Sequence, residues 1–170
     1  GGRISPKKAR SMPICVIAYS GQGRLAAAVA RHLRACQIPV EGIVDRPTAN
    51  RSALEALGVA VSLVPPHQAD WEAYLSRREV GLIVLAGYLR KVPPAIVAAY
   101  SGRILNSHPA LLPGFGGKGM YGRRVHEAVV RSGAVESGFT IHLVNEEYDR
   151  GPILYQVHLP VAGLSAEAVE

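Results

Sequence analysis

A continuous apolar run, Ile14-Cys15-Val16-Ile17-Ala18-Tyr19, passes directly into Ser20-Gly21-Gln22-Gly23 and then into a stretch with helical spacing. A run unbroken by polar residues suits a strand buried on both faces, not one that alternates core with solvent. From Leu25 to Leu33 the alanines, Val29 and Leu33 keep apolar residues three and four apart, and Pro39 closes the helix before Val40 to Val44. Strand, helix and strand in that order define a βαβ unit, which commits the sheet to parallel pairing at its start.

The alternation continues downstream. Arg51 to Leu57 reads as helical, Val61 to Val64 as extended, Trp71 to Arg78 as helical, and Leu82 to Ala86 as a short apolar strand bounded by Gly81 and Gly87. Pro93-Pro94 opens a further helix to Tyr100, and a short strand from Arg103 to Leu105 delivers the chain into Asn106-Ser107-His108-Pro109. Beyond it lie a glycine- and proline-rich segment from Leu111 to Tyr121, a helix from Val125 to Val130, and strands from Gly138 to Val144 and from Ile153 to Leu159. The expected fold is α/β, a Rossmann-like, mostly parallel sheet with helices on both faces. A length of 170 residues suits a single domain. Residues 13–170 form that domain, and residues 1–12 are expected to be a disordered basic lead or an expression remnant. The last residues, Ala166 to Glu170, read as the start of a helix, so the C-terminal helix is expected to be cut short.

Charge and cysteine content limit the partners. The net charge of +6 and pI near 9.6 suit an anionic partner: nucleic acid, an acidic membrane surface or a phosphorylated small molecule. Arg3, Lys7, Lys8 and Arg10 lie in the lead, where no aromatic residues interleave to stack single-stranded bases. Cys15 and Cys36 are the only cysteines, which gives no disulfide framework and no paired metal-ligand spacing. The longest apolar runs are far shorter than the roughly 20 residues that span a bilayer. A soluble, cytoplasmic protein without metal, nucleic-acid or membrane partner is the expectation.

Asn106 and His108 stand two apart in an extended stretch, so their side chains project the same way from the carboxyl end of a strand. An amide donor beside an imidazole suits polarisation of a carbonyl and stabilisation of a tetrahedral oxyanion. Asp149, in the turn Glu147-Tyr148-Asp149-Arg150-Gly151-Pro152, supplies a carboxylate that can orient or charge an imidazole. Each signal is weak alone, because asparagine commonly makes turns, histidine caps or packs, and Asp near Gly is ordinary hairpin chemistry.

Four ordered segments carry a family resemblance: Leu85-Ala86-Gly87-Tyr88-Leu89-Arg90; Ile104-Leu105-Asn106-Ser107-His108-Pro109-Ala110-Leu111-Leu112-Pro113; Gly116-Gly117-Lys118-Gly119-Met120-Tyr121-Gly122 with Val125-His126-Glu127-Ala128; and Gly138-Phe139-Thr140-Ile141-His142 running to Asp149-Arg150-Gly151-Pro152. From about Ile14 to Ala162 the chain resembles the phosphoribosylglycinamide formyltransferase family. The resemblance implies the formyltransferase fold and transfer of a formyl group from 10-formyltetrahydrofolate, as co-substrate, to the glycinamide amine in purine biosynthesis. It implies that Asn106 hydrogen-bonds the formyl oxygen, that His108 stabilises the tetrahedral intermediate and acts as acid, and that Asp149 holds His108 and helps relay the amine proton.

By the same resemblance Leu89, Arg90, Lys91 and Val92, with Asn106, Asn145, Glu146, Glu147, Tyr148 and Asp149, receive the pterin and its formyl carrier. For Leu89 and Val92 the plain alternative is packing, and for Arg90 and Lys91 a solvated face. Gly21, Gln22, Gly23 and Arg24 would cradle the substrate phosphate, since small residues let backbone N–H groups approach an anion at a helix start. This loop departs from the family pattern, in which Ser or Thr and then Asn follow the second glycine; here a single Arg24 separates Gly23 from Leu25. His126 matches a family position near the substrate, while His32, His67, His142 and His158 are read as structural. The rival readings are a superfamily transferase acting on methionyl-tRNA or an amino sugar, and a folate-binding remnant without turnover. The partners implied are small molecules, with a monomer or homodimer equally compatible.

Overall fold

The structure, a computed structural model, describes residues 12–108, 126–128, 136–145 and 153–160. Nine elements alternate: β1 (Ile14–Tyr19), α1 (Arg24–Ala35), β2 (Val40–Val44), α2 (Ser52–Glu55), β3 (Val61–Leu63), α3 (Gln68–Leu75), β4 (Val80–Leu85), α4 (Pro94–Ala99) and β5 (Ile104–His108). Two more strands, β6 (Glu136–Leu143) and β7 (Ile153–Pro160), complete a seven-stranded sheet of order β3-β2-β1-β4-β5-β6-β7. The first five strands pair in parallel, and β6 and β7 are antiparallel to their neighbours. This is the mostly parallel α/β sheet expected from the alternating pattern.

Both faces of the sheet are covered, which explains why β1 carries no polar residue. Cys15, Ile17 and Tyr19 pack with Ala26, Ala27 and Ala30 of α1 and with Leu54 of α2. Val16 and Ala18 point the other way, into a core with Trp71, Tyr74 and Leu75 of α3 and Ile96 and Val97 of α4. In α1 the small residues meet the sheet while Leu25 is 43% exposed, so the alanines let the helix approach closely.

Two of the departures from the expected boundaries have clear causes, one local and one distant. α3 starts at Gln68, after an extended His67, and ends at Leu75, where the Ser76 hydroxyl donates to Ala73 O at 3.2 Å. β5 does not stop at Leu105. Its parallel ladder with β4 ends at the Leu85↔Asn106 pair, but β6 pairs with residues 105–108 and carries the strand on to His108. Of the expected helix after the glycine-rich segment, residues 126–128 are described and helical. Among the described residues no helix is long and apolar enough to cross a membrane.

Burial sets the ionisation of the core. It pushes the Cys15 thiol up to about 11 and the Tyr88 hydroxyl up to about 12. A raised folded-state pKa means that the neutral form is favoured by folding, so this stability is complete below the unfolded value near 10 for tyrosine and is lost as pH rises through the folded value. Unfolding free energy, followed by urea titration, is therefore expected to fall between about pH 10 and pH 12. Cys36 is exposed, so at pH 8 a thiol reagent should modify it fast and Cys15 only on the unfolding timescale. Equal rates for the two thiols would contradict the burial of Cys15.

Candidate active site

The order of the strands fixes where a ligand can sit. The chain builds outward from β1 through β2 to β3, then returns to the opposite side of β1 with β4. The connections that leave the carboxyl ends of β1 and β4 therefore diverge, and the crevice between them is the usual binding place in an open α/β sheet. Residues 20–24, residues 86–92 and the end of β5 all lie at this edge.

The loop leaving β1 is held in shape by backbone contacts. Gly23 takes φ +76°, and a Cβ there would sit 2.9 Å from both Ala53 Cβ and Tyr19 Cε2, so only glycine fits. Gly21 O accepts from Asn50 N–H at 2.9 Å, and Asn50 O accepts from the Tyr19 hydroxyl at 2.9 Å. Burial, with Glu55 adding to it, raises the Tyr19 pKa and so keeps that donor protonated. α1 begins at Arg24 with no side-chain cap and no acidic residue in its first turn. A cation at the positive end of a helix is unfavourable by itself and becomes favourable when an anion sits between them. Gly21, Gln22 and Arg24 are exposed, so the loop is open to such an anion.

Across the crevice, Leu89 is 38% exposed and Arg90 and Lys91 are exposed, whereas Val92 is 2% exposed and belongs to the core beneath α3 and α4. Val92 thus offers a ligand its backbone but not its side chain. Tyr88 stands edge-on to Trp71, with ring centroids 5.9 Å apart at 77°, and anchors the segment to that core.

The third wall is the end of β5. Asn106 faces His142 across the antiparallel ladder, and its Nδ2 lies 3.0 Å from His142 Nε2. The other ring nitrogen, Nδ1, lies 3.0 Å from Leu143 O. A carbonyl can only accept, so Nδ1 donates to it, and the Asn106 Nδ2 amide can only donate, so Nε2 accepts from it. His142 is 2% exposed and Asn106 half-buried, so this contact fixes which way round the amide sits. Read from sequence as structural, His142 is in fact the residue that orients Asn106. The strand alternation from Gly138 to Val144 placed Thr140 and His142 on one face, and that was the available signal; only the pairing partner turned it into a site.

The remaining expected residues divide clearly. The backbone of His108 closes β5 opposite Thr140, one ladder pair beyond Ser107. Asn145 follows β6 and is exposed. Glu146, Glu147, Tyr148 and Asp149 lie outside the described residues, as do the glycines at 116, 117, 119 and 122. His126 is 7% exposed on the short helical segment. Among the described residues no group of three or more His, Cys, Asp or Glu is placed to hold a metal ion.

The family model described as formyl transferase matches residues 15–169, and the chain belongs to that family. The phosphoribosylglycinamide formyltransferase of Arabidopsis thaliana, named as chloroplastic, is 60% identical over 82 residues, which are 48% of this chain and 28% of that protein. The Mycobacterium tuberculosis protein of the same name is 36% identical over 140 residues, 81% of this chain and 58% of its own length. The chain thus spans well under two thirds of the curated relatives it matches. In structure, the phosphoribosylglycinamide formyltransferase of Streptococcus pneumoniae superimposes with a TM-score of 0.78 at 30% identity, covering 93% of this chain and 88% of that one.

Proposed function

We propose that the chain transfers the formyl group of 10-formyltetrahydrofolate to the amine of 5-phosphoribosylglycinamide, a step of purine biosynthesis, in an aqueous compartment such as the cytoplasm. The observation that carries this reading is the Asn106 amide, locked by His142 at the mouth of β5, in a chain of the formyl transferase family. With one N–H given to His142, the amide keeps a second N–H to donate to a formyl oxygen that gains negative charge in the transition state. The amine nitrogen forms a bond to the formyl carbon, the carbon to N10 bond breaks, and the amine proton passes to N10. His108 and Asp149 take the roles of acid and of its orienting carboxylate.

The substrate phosphate is assigned to Gly21, Gln22, Gly23 and Arg24, where an uncapped helix start and a guanidinium coincide. The reduced folate is assigned to the wall of residues 89–92 with Asn106 and residues 145–149. The partners are these two small molecules.

Formyl transfer, followed as tetrahydrofolate production, tests the reading with phosphoribosylglycinamide, an amino sugar and methionyl-tRNA as alternative acceptors. The glycinamide is expected to be the fastest acceptor. Arg24→Ala is expected to raise its KM about 10- to 100-fold, the usual scale for losing a hydrogen bond to a charged group. Faster transfer to another acceptor would reassign the substrate. A folded chain that turns over none of the three would overturn the reading altogether.

A further inference from the structure

Ser20 is the first residue after β1 and is 2% exposed. It sits where the strand order reverses, and it is bonded across the crevice instead of along its own strand. Its N–H donates to Gly87 O at 3.0 Å, and its hydroxyl oxygen accepts from Leu89 N–H at 2.9 Å. The turn between those two partners depends on Gly87 at φ +75°, a conformation that other residues rarely adopt. One buried serine therefore grips both ends of the turn that opens the folate wall, while its own next residue, Gly21, opens the anion loop. That loop is tied on its far side by the hydrogen bond from Asn50 N–H to Gly21 O.

We propose that Ser20 is a positioning residue that couples the two half-sites: an anion held by residues 21–24 fixes Ser20, and the Ser20 hydroxyl fixes the Leu89 N–H and with it the wall of residues 89–92. The proposal rests on the ligand assignment under Proposed function. The element both ligands would bias is the turn of residues 87–89, which is held on the Ser20 hydroxyl through Leu89 N–H. Because a coupling free energy is reciprocal, phosphate must tighten folate binding by the same factor that folate tightens phosphate binding.

Calorimetry with tetrahydrofolate under argon, without and with saturating inorganic phosphate, reads the coupling directly. For the wild-type chain phosphate is expected to lower the Kd of tetrahydrofolate at least about 5-fold, the lower end of ordinary allosteric coupling. Ser20→Ala is expected to bind phosphate alone about as well as the wild type while the coupling factor falls to about one. A purely structural serine would instead weaken both ligands and leave the factor unchanged. Wild-type binding without coupling overturns the inference whatever the variant does, and so does coupling that survives in Ser20→Ala. Failure of the wild-type chain to bind tetrahydrofolate at all overturns the proposed function, and this inference with it.

Discussion

Asn106→Ala is expected to lower formyl-transfer turnover about 100- to 1,000-fold, the usual loss when one oxyanion donor is removed from a preorganised site. Preorganisation is the reason for a large effect. The amide is held on one side by His142 Nε2 at 3.0 Å, so in the proposed mechanism its other N–H is positioned before the substrate binds and costs little reorientation as charge develops. Asn106→Asp separates the donor from the scaffold. A carboxylate of the same shape can still meet His142 if the imidazole is charged, but it has no N–H to offer and adds negative charge where the oxyanion forms. Its turnover should fall at least as far as that of Asn106→Ala, with KM for the glycinamide changed far less than kcat. Steady-state kinetics on both variants, after circular dichroism has confirmed their fold, decides the point. Turnover within about 5-fold of wild type in Asn106→Ala would remove the amide from the mechanism.

The second large effect concerns stability. Trp71 is wholly buried and is the largest side chain in the core beneath α3 and α4, which it shares with Val16 and Ala18 of β1 and where it stands against the ring of Tyr88. Trp71→Ala should cost about 3–5 kcal/mol of unfolding free energy in urea titration, because it loses both the transfer energy of the indole and the packing of the void it leaves. Tyr88 would lose its edge-on partner one residue before Leu89, so, on the proposed assignment of the folate wall, the variant should also bind reduced folate more weakly than its stability alone explains. A loss below about 1 kcal/mol would mean that the pocket collapses around the alanine and that the indole is not the keystone of this face.

Much of the fold could be read from the chain because its signals are local. β1 and β2 occupy the expected residues, Ile14–Tyr19 and Val40–Val44, since apolar runs bounded by glycine and proline leave little choice. The end of β5 was misplaced because a distant partner sets it. β5 runs to His108 because β6 pairs with it from more than 30 residues away, and nothing in Arg103 to Leu105 foretells that. The site shows the same division. Gly23 and Asn106 were singled out on a family resemblance, each being a weak signal by residue type alone, while His142 was read as structural because a histidine on a strand carries no sign of what lies opposite it. Val92 was assigned to the folate wall by the family resemblance, with packing as the plain alternative, and its side chain lies in the core, a burial that depends on the whole sheet and not on its neighbours in sequence.

The Asn106↔His142 pair has a consequence for how relatives of this chain can diverge in length. Side chains on a strand alternate, so one residue gained or lost within the paired stretch of β6 beside His142 would swing the imidazole to the opposite face and leave Asn106 facing a neighbour of the wrong kind. Substitution in β6 leaves that register intact, whereas a change of length within the paired stretch does not. The outer strand shows where slack is tolerated: β7 is out of step with β6 between Ile141 and His142, the partners passing from Tyr155 to Ile153. The irregularity falls on the side away from Asn106, so sequence length is free to vary at the margin of the sheet while the inner ladder keeps time.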